Sequence, residues 1–351
     1  MWKLNPASDD LLKWYIDTMC EGLKNRIKNK RDSHGNLIIN NAIRQILIPL
    51  NPDGSDNETI IKQLLTEKPD TLYALNDNLM KCIIKGYNDR EFDTYLKAKR
   101  KTKNRTKIES YLYEKYNDIL KRLQEVFDYN GQLASNKEKA YHLTIGQGHN
   151  TCTYCNRQYT ITIFESDENN HTLGIARPQL DHWFSKELYP LMSLSLYNLI
   201  PSCSICNSSV KGTDIYRLDT HVHPYLDTTP DEPFFRFSYR LNKNKQYEVI
   251  IEDLTDTKEE NMVKSLKLEE IYKYHGEIEV KDILQYNYQY SDAYLKTLLE
   301  GLLKHYKLSK ADVYRMLFGT ELETSKNLNR PLSKLKRDIL TEIGLLKNGK
   351  F

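Results

Sequence analysis

Four cysteines in two pairs are the residues of this chain best suited to hold a metal ion. The first pair is Cys152 and Cys155, and the second is Cys203 and Cys206. A Cys-x-x-Cys pair can place two thiolates on one tetrahedral ion, so both pairs together would complete a Zn²⁺ site with no open position. We expect such a closed site to be structural. Redox-active pairs are the alternative, but neither pair lies in the strand–helix–strand context typical of redox motifs.

Three residues between or directly after the cysteine pairs could hydrolyse a phosphodiester bond. Asp181 and His182 lie between the pairs, and Asn207 follows the last cysteine. The reaction needs a base that deprotonates water and a divalent metal that neutralises charge on the phosphate. His182 suits the base because imidazole titrates near neutral pH, and Asp181 and Asn207 offer oxygen ligands that suit Mg²⁺ or Mn²⁺. We therefore predict a catalytic site at these three residues.

Each of these residues also has a structural interpretation. His182 could be a satisfied core histidine, Asp181 could hydrogen-bond a turn, and Asn207 could cap a helix. His221 and His223 could serve as extra metal ligands, but we expect them to pack against the surrounding residues. The combination of a base beside a carboxylate favours the catalytic interpretation over the structural one.

The order of these motifs resembles that of the HNH nucleases. Cys-x-x-Cys, Asp-His, Asn-Leu-Ile-Pro, Cys-x-x-Cys-Asn and Lys-Gly follow one another within residues 152–212. The family has a ββα-metal fold with a zinc-knuckle variant, and the chain most resembles the HNH proteins of bacterial anti-phage systems of the Septu and retron-associated kind. The resemblance covers residues 152–227, about a fifth of the chain.

This resemblance implies a role for each residue. His182 would be the general base, Asp181 and Asn207 would bind the catalytic metal, and Asn198 would brace the loop that orients the histidine. Hydrolysis would leave a 5′-phosphate and a 3′-hydroxyl. The resemblance also implies a controlling ATPase partner, of the ABC-like or AAA kind, in a defence complex.

Two features depart from the family pattern. Lys211 lies four positions after Asn207, where the family often has a basic residue after three. Because positions i+3 and i+4 share a helix face, we expect Lys211 to contact phosphate all the same. Trp183 and Phe184 stand where a proline often follows the Asp-His pair, so the shape of that loop stays open.

A basic segment precedes the cysteine pairs and is a candidate contact for nucleic-acid phosphates. The formal net charge of the whole chain is only +3, so the local concentration of charge is what matters. We predict that nucleic acid contacts this segment, and a solvated helix face is the alternative. Its basic residues are Lys97, Lys99, Arg100, Lys101, Lys103, Arg105 and Lys107.

The sequence pattern around these residues predicts an α+β fold. We expect a small ββα-metal core held by zinc, with mostly helical regions on both sides. Residues 1–140 show apolar positions at helical spacing. Within the HNH module, at 141–229, we predict strands over 159–164 and 172–180 joined by a turn at 166–170, then a short helix beginning near Asn207. Residues 230–351 should hold a β-hairpin with its turn at 242–245, followed by helices over 293–306, 309–317 and 332–346.

Composition places the chain among soluble globular proteins, with 28% charged and 39% hydrophobic residues. We find no signal peptide or long apolar run, and the thiols read as reduced, so we expect a cytoplasmic protein that does not enter a membrane. We interpret it as a metal-dependent endonuclease acting on nucleic acid, with DNA as the expected substrate, in anti-phage defence. A non-catalytic zinc module that binds nucleic acid or a partner protein is the alternative.

Overall fold

The N-terminal part of the chain is helical, as predicted. The computed structural model describes residues 2–166, 172–212, 214–226, 228–289 and 309–346. Apolar residues at helical spacing bury one face of the first helix, and a capping box of Thr106 and Glu109 begins the longest later helix. The α-helices up to residue 147 are α1 Asp9–Asn29, α2 Asn41–Leu47, α3 Thr59–Thr66, α4 Pro69–Ile83, α5 Phe92–Arg100, α6 Lys107–Val126 and α7 Lys137–Gln147.

Three two-stranded antiparallel sheets follow in the described residues, so the fold is α+β. The first joins β1 (Ile163–Ser166) to β2 (Thr172–Ala176). The second joins β3 (Gln179–His182) to β4 (Leu199–Ser202), with His182 opposite Leu199. The third joins β5 and β6. The last two strands are β5 Arg236–Leu241 and β6 Tyr247–Glu252.

The strands between the cysteine pairs differ from the prediction. The segment 172–180 is not one strand, because it breaks at Arg177 and Pro178 and resumes as β3. Proline has no N–H to donate to a ladder, which disfavours a continuous strand through Pro178. The new partner is β4, which the sequence analysis did not identify as a strand. Asp181 and His182 therefore end a strand, but one that belongs to a second hairpin.

The helix predicted near Asn207 is a π-helix over Ile205–Lys211. Its backbone hydrogen bonds span five residues instead of the four of an α-helix. Asn207 lies inside this helix and does not cap it, so the capping interpretation of Asn207 was wrong.

The C-terminal part contains the predicted hairpin. The amide of Asn242 donates to the carbonyl of Gln246 at 2.9 Å, and Lys245 has a positive φ of 59°. The helix over 309–317 is confirmed, and that over 332–346 is shorter than predicted. The helix predicted over 293–306 and most of the turn at 166–170 lie outside the described residues. The helices here are α8 Thr257–Ser265, α9 Leu268–Lys273, α10 Lys281–Gln289, α11 Lys310–Phe318 and α12 Ser333–Glu342.

Buried polar contacts tie the helical N-terminal part to the segment between the cysteine pairs. The hydroxyls of Tyr73 and Tyr189 both donate to the buried Asp89 carboxylate, at 2.8 and 3.0 Å. The hydroxyl of Tyr15 in α1 donates to the carbonyl of Leu194 at 2.7 Å. The loop between β3 and β4 is therefore held from outside its own hairpin. No helix in the described ranges has the length and apolar character needed to cross a membrane.

Candidate active site

The four cysteines meet in one buried cluster, as predicted. Their sulfur atoms all lie within 4.8 Å of one another. A tetrahedral zinc with Zn–S bonds of about 2.3 Å would hold its sulfurs about 3.8 Å apart, so the cluster has the right size for that ion. Burial raises the pKa of the Cys152 thiol, a cost that zinc would offset because it binds the thiolate. The cluster can therefore hold a zinc ion.

Backbone amides point at the sulfur atoms of both pairs. The amide of Arg157 donates to Cys155 Sγ at 3.4 Å, and the amide of Cys206 donates to Cys203 Sγ at 3.5 Å. These contacts stabilise negative charge on sulfur and favour the metal-binding interpretation over free thiols. Of the two cysteines outside the cluster, Cys20 is buried and Cys82 is exposed.

Residues far along the chain fix the first cysteine pair. Asn156 is buried with a positive φ of 47°, and its side-chain amide donates to Thr151 Oγ1 at 2.9 Å and to the carbonyl of Asn327 at 2.8 Å. The amide of Ser333 donates to Asn156 Oδ1 at 3.1 Å. The hydroxyl of Tyr272 also donates to the carbonyl of Cys155. The C-terminal part therefore helps to shape the zinc site.

His182 is held as a neutral base at the end of β3. Its Nε2 lies 2.9 Å from the carbonyl of Ser193, so Nε2 must carry the proton and the ring keeps its lone pair on Nδ1. The ring of Tyr129 packs edge-on with a centroid distance of 4.4 Å. Burial, with the charge of Lys186, lowers the pKa of His182 to about 4, so the imidazole is neutral at pH 7. This is the protonation state that a general base needs.

Asn198 braces the loop that holds His182. Its Oδ1 accepts from the amide of Phe184 at 2.7 Å, and its Nδ2 donates to the carbonyl of Met192 at 2.9 Å. Met192 directly precedes Ser193, whose carbonyl binds the imidazole. Asn198 is fully buried, so these bonds exchange little with water. Its contacts are those of a positioning residue.

The carboxylate of Asp181 is bound through one oxygen. Both Tyr154 Oη and Lys211 Nζ donate to Asp181 Oδ2, the latter at 2.6 Å. In the part of the chain that the structure describes, the hydrogen bonds that reach this carboxylate all go to Oδ2. Oδ1 is therefore the oxygen available for a cation. Sequence reasoning missed Tyr154, although a polar aromatic residue inside the first Cys-x-x-Cys could have signalled it.

Lys211 lies inside the molecule, with a side chain only 5% exposed. Its ammonium also donates to the carbonyls of His182 and Trp183, at 2.5 and 3.5 Å. In a π-helix one turn holds more than four residues, so Lys211 returns to the side of Asn207 despite the extra residue between them. This arrangement does not favour the phosphate contact predicted for Lys211, since three acceptors already surround the ammonium.

One cavity of about 380 Å³ brings the predicted catalytic residues together. Asp181, His182 and Asn207 all line it. Asn207 Nδ2 donates to Gln179 Oε1 at 2.9 Å, which leaves the amide oxygen as the ligand atom. A carboxylate oxygen and an amide oxygen on one cavity wall suit a hard divalent ion that keeps waters and substrate phosphate as its other ligands. Tyr129, from the segment between α6 and α7, completes the wall and was not predicted.

The basic segment begins beside this cavity, which Leu96 lines. Lys99 pairs with Glu187, which lines the cavity, and Lys101 pairs with Glu109 at 2.6 Å. The guanidinium of Arg105 lies 3.6 Å from the centre of the Tyr113 ring. Of the other predicted contacts, Arg100 and Lys103 are exposed. Binding of nucleic acid by this segment stays a prediction.

The two additional histidines pack, as expected. The ring of His223 is buried 4.5 Å from that of Trp183, and its Nδ1 accepts from the amide of Tyr225 at 3.2 Å. The ring of His221 stacks on that of Tyr216 with a centroid distance of 4.4 Å. The structure gives neither ring a place in the cysteine cluster.

The comparisons with known proteins give one informative similarity. No family model and no solved structure matches the chain. The chain is 27% identical over 120 residues to the Septu protein PtuB of Bacillus thuringiensis. The match covers 34% of this chain and 41% of PtuB, so the chain spans about two fifths of that relative's length. The resemblance expected from the motifs is thus confirmed as far as a distant similarity to a Septu protein.

Proposed function

We propose that this chain is a metal-dependent endonuclease of the HNH kind, which hydrolyses phosphodiester bonds in nucleic acid, with DNA as the expected substrate. One observation carries the proposal. A neutral histidine, held through Nε2, shares a cavity with a carboxylate and an amide whose oxygens suit a divalent ion.

The reaction would begin with His182 Nδ1 accepting a proton from water, which then attacks phosphorus. The bond from Nε2 to the Ser193 carbonyl fixes the ring and stabilises the imidazolium that forms. Asp181 and Asn207 would hold Mg²⁺ or Mn²⁺, which when bound supplies charge neutralisation at the phosphate and the leaving oxygen. Tyr154 and Lys211 orient Asp181 through Oδ2. The bond from phosphorus to the 3′ oxygen breaks as the new bond to the water oxygen forms, and the 3′ oxygen takes a proton from solvent, so the products would carry a 5′-phosphate and a 3′-hydroxyl.

The test is cleavage of supercoiled plasmid, linear duplex DNA and RNA, with and without added Mg²⁺ or Mn²⁺. Wild-type protein should cut DNA only with the metal, and His182→Ala should abolish cutting while the protein stays folded and keeps its zinc. His34→Ala, at an exposed histidine in another part of the chain, is the matched control. Cutting by His182→Ala at the wild-type rate would exclude His182 as the base.

We further propose a role in anti-phage defence under the control of an ATPase partner of the ABC-like kind. The similarity to a Septu protein and the family resemblance support this role. An ATPase encoded next to this chain should co-purify with it and alter its cleavage rate. A protein that cleaves without a partner, binds no such ATPase and does not harm its host would contradict regulation by an ATPase.

One observation favours a second candidate, a zinc module that binds nucleic acid or a partner protein without catalysis. The carboxylate of Asp181 is already neutralised by a buried lysine, as in a structural ion pair. On this alternative, nucleic acid would bind but would not be cut with any divalent metal.

A further inference from the structure

Two cations, Arg177 and Lys186, line the same cavity as Tyr129. Lys186 Nζ lies 5.2 Å from the centre of the Tyr129 ring, and Arg177 lies on the same cavity wall. Burial raises the pKa of Tyr129 to about 12, and the nearby charge of Arg177 opposes that rise. Both cations therefore act on the aromatic ring that packs against His182.

Among the residues that the structure describes, neither cation is paired with a carboxylate. Of the three acids on the cavity wall, Asp181 pairs with Lys211 and Glu187 pairs with Lys99, while Asp214 is the third. Across the residues that the structure describes, no carboxylate oxygen lies within 4.0 Å of Arg177 or Lys186. Unpaired positive charge on a cavity wall favours an anionic ligand.

Lys211 cannot bind an anionic ligand without losing contacts that it already makes. Its ammonium is buried against one carboxylate oxygen and two carbonyls, so binding a phosphate would break contacts that it already makes. Lys186 is exposed, and the hydrogen bond seen for Arg177 is one to the carbonyl of Pro178 at 3.0 Å. Arg177 and Lys186 are therefore the cations that a phosphate could contact without breaking an ion pair seen in the described residues.

The position of Lys186 also suits a continuous strand. The Tyr129 ring centre lies 4.4 Å from that of His182 and 5.2 Å from Lys186 Nζ, so the ammonium is at most 9.6 Å from the imidazole centre. Lys186, Tyr129 and Glu187 line both this cavity and a second one of about 330 Å³. A strand cut beside His182 would carry its neighbouring phosphate past Lys186.

We propose that Arg177 and Lys186 form a phosphate-binding site that holds the nucleic-acid backbone next to the scissile phosphate, in place of Lys211. This inference rests on the proposed function for the identity of its ligand. Contacts to phosphate carry no sequence information. The pair should therefore set affinity and salt dependence and leave sequence preference unchanged.

The experiment measures binding separately from cleavage. The His182→Ala protein, zinc-loaded and without added Mg²⁺, is titrated with a fluorescein-labelled 20-base-pair DNA duplex and a 20-nucleotide RNA from 50 to 200 mM salt. Arg177→Gln and Lys186→Gln should each weaken binding severalfold and reduce the slope of log K against log salt by about 1 on duplex DNA. Lys245→Gln, at the exposed turn between β5 and β6, should leave the slope unchanged.

The measured salt slopes and the cleavage assay together separate this inference from the proposed function. Slopes that match the control would overturn the phosphate site, as would a failure of the parent protein to bind either nucleic acid. If the slopes fall but wild-type protein never cleaves with Mg²⁺ or Mn²⁺, the phosphate site stands and the nuclease proposal fails. If wild-type protein cleaves while the variants keep the control slope and KM, the nuclease stands and this inference fails. The tighter of the two probes identifies the backbone that is bound.

Discussion

Replacing Lys211 by methionine should destabilise this protein far more than an ordinary loss of an ion pair. The ammonium and the Asp181 carboxylate are only 5% and 7% exposed and lie 2.6 Å apart. Removing the lysine alone leaves a buried carboxylate with Tyr154 as its remaining donor. Breaking a buried pair in this way costs about 3–5 kcal/mol, mostly through the uncompensated charge.

A double-mutant cycle isolates this cost. Asp181→Asn together with Lys211→Met removes both charges, so the double variant should recover much of the stability that Lys211→Met loses. We expect a coupling energy of about 2–3 kcal/mol, the upper part of the range for residues in contact. The matched control is the helical pair of Asp77 and Lys81, whose side chains are 28% and 57% exposed and which should couple by about 0.3–0.5 kcal/mol.

Urea unfolding of the zinc-loaded proteins at pH 7, with zinc content measured for each variant, gives both cycles. A cost below about 1 kcal/mol for Lys211→Met, or a coupling no larger than that of the control pair, would refute the reasoning. The lysine would then be free for the phosphate contact that its sequence position first suggested.

Three further predictions concern single side chains. Tyr154→Phe removes a hydrogen bond to the Asp181 carboxylate and should lower the free energy of unfolding by about 1.5–3 kcal/mol, as should the control Tyr116→Phe, whose hydroxyl donates to Glu91. Only Tyr154→Phe should raise the Mg²⁺ concentration that gives half-maximal cleavage, and an equal requirement in both variants would contradict this. Metal analysis of Cys203→Ser should show a fall from about one zinc ion per chain to none, whereas Cys82→Ser, at an exposed cysteine, should keep its zinc. A Cys203→Ser protein that holds about one zinc ion per chain would exclude the zinc site. Burial lowers the pKa of His149 to about 4, below the value of about 6.5 in an unfolded chain, so the unfolded state binds more protons between these pH values and stability falls as the pH falls through that window. His149→Gln should therefore flatten the pH dependence of unfolding by up to about 1.4 kcal/mol per pH unit there, and an unchanged slope would contradict the assignment.

Much of this architecture could be predicted from local patterns, because the features concerned are local. Helical spacing identified the N-terminal helices, and the Cys-x-x-Cys spacing identified a cluster that the structure confirms. Strand pairing was harder. The four residues of β4 are all buried, so they show no alternation of polar and apolar side chains, and their partner is set by tertiary contacts.

The details of the candidate site were also beyond the sequence. A lysine is almost never fully buried unless paired, so nothing local indicated that Lys211 turns inward to Asp181. Tyr129 reaches the cavity from a helical segment more than fifty positions before His182 and carries no motif. The candidate residue types could thus be proposed from spacing, whereas the side chains that hold them had to be found in three dimensions.

The buried amide of Asn156 also bears on the order of synthesis. It borders the first cysteine pair, yet its partners Asn327 and Ser333 are added to the chain about 170 residues later. A ribosome that stalls between these points leaves the amide to water and leaves the left-handed backbone of Asn156, with a φ of 47°, without the contacts that hold it. Truncated products of interrupted translation would therefore carry a less firmly held first cysteine pair, and only chains translated past residue 333 would have the cluster fully supported.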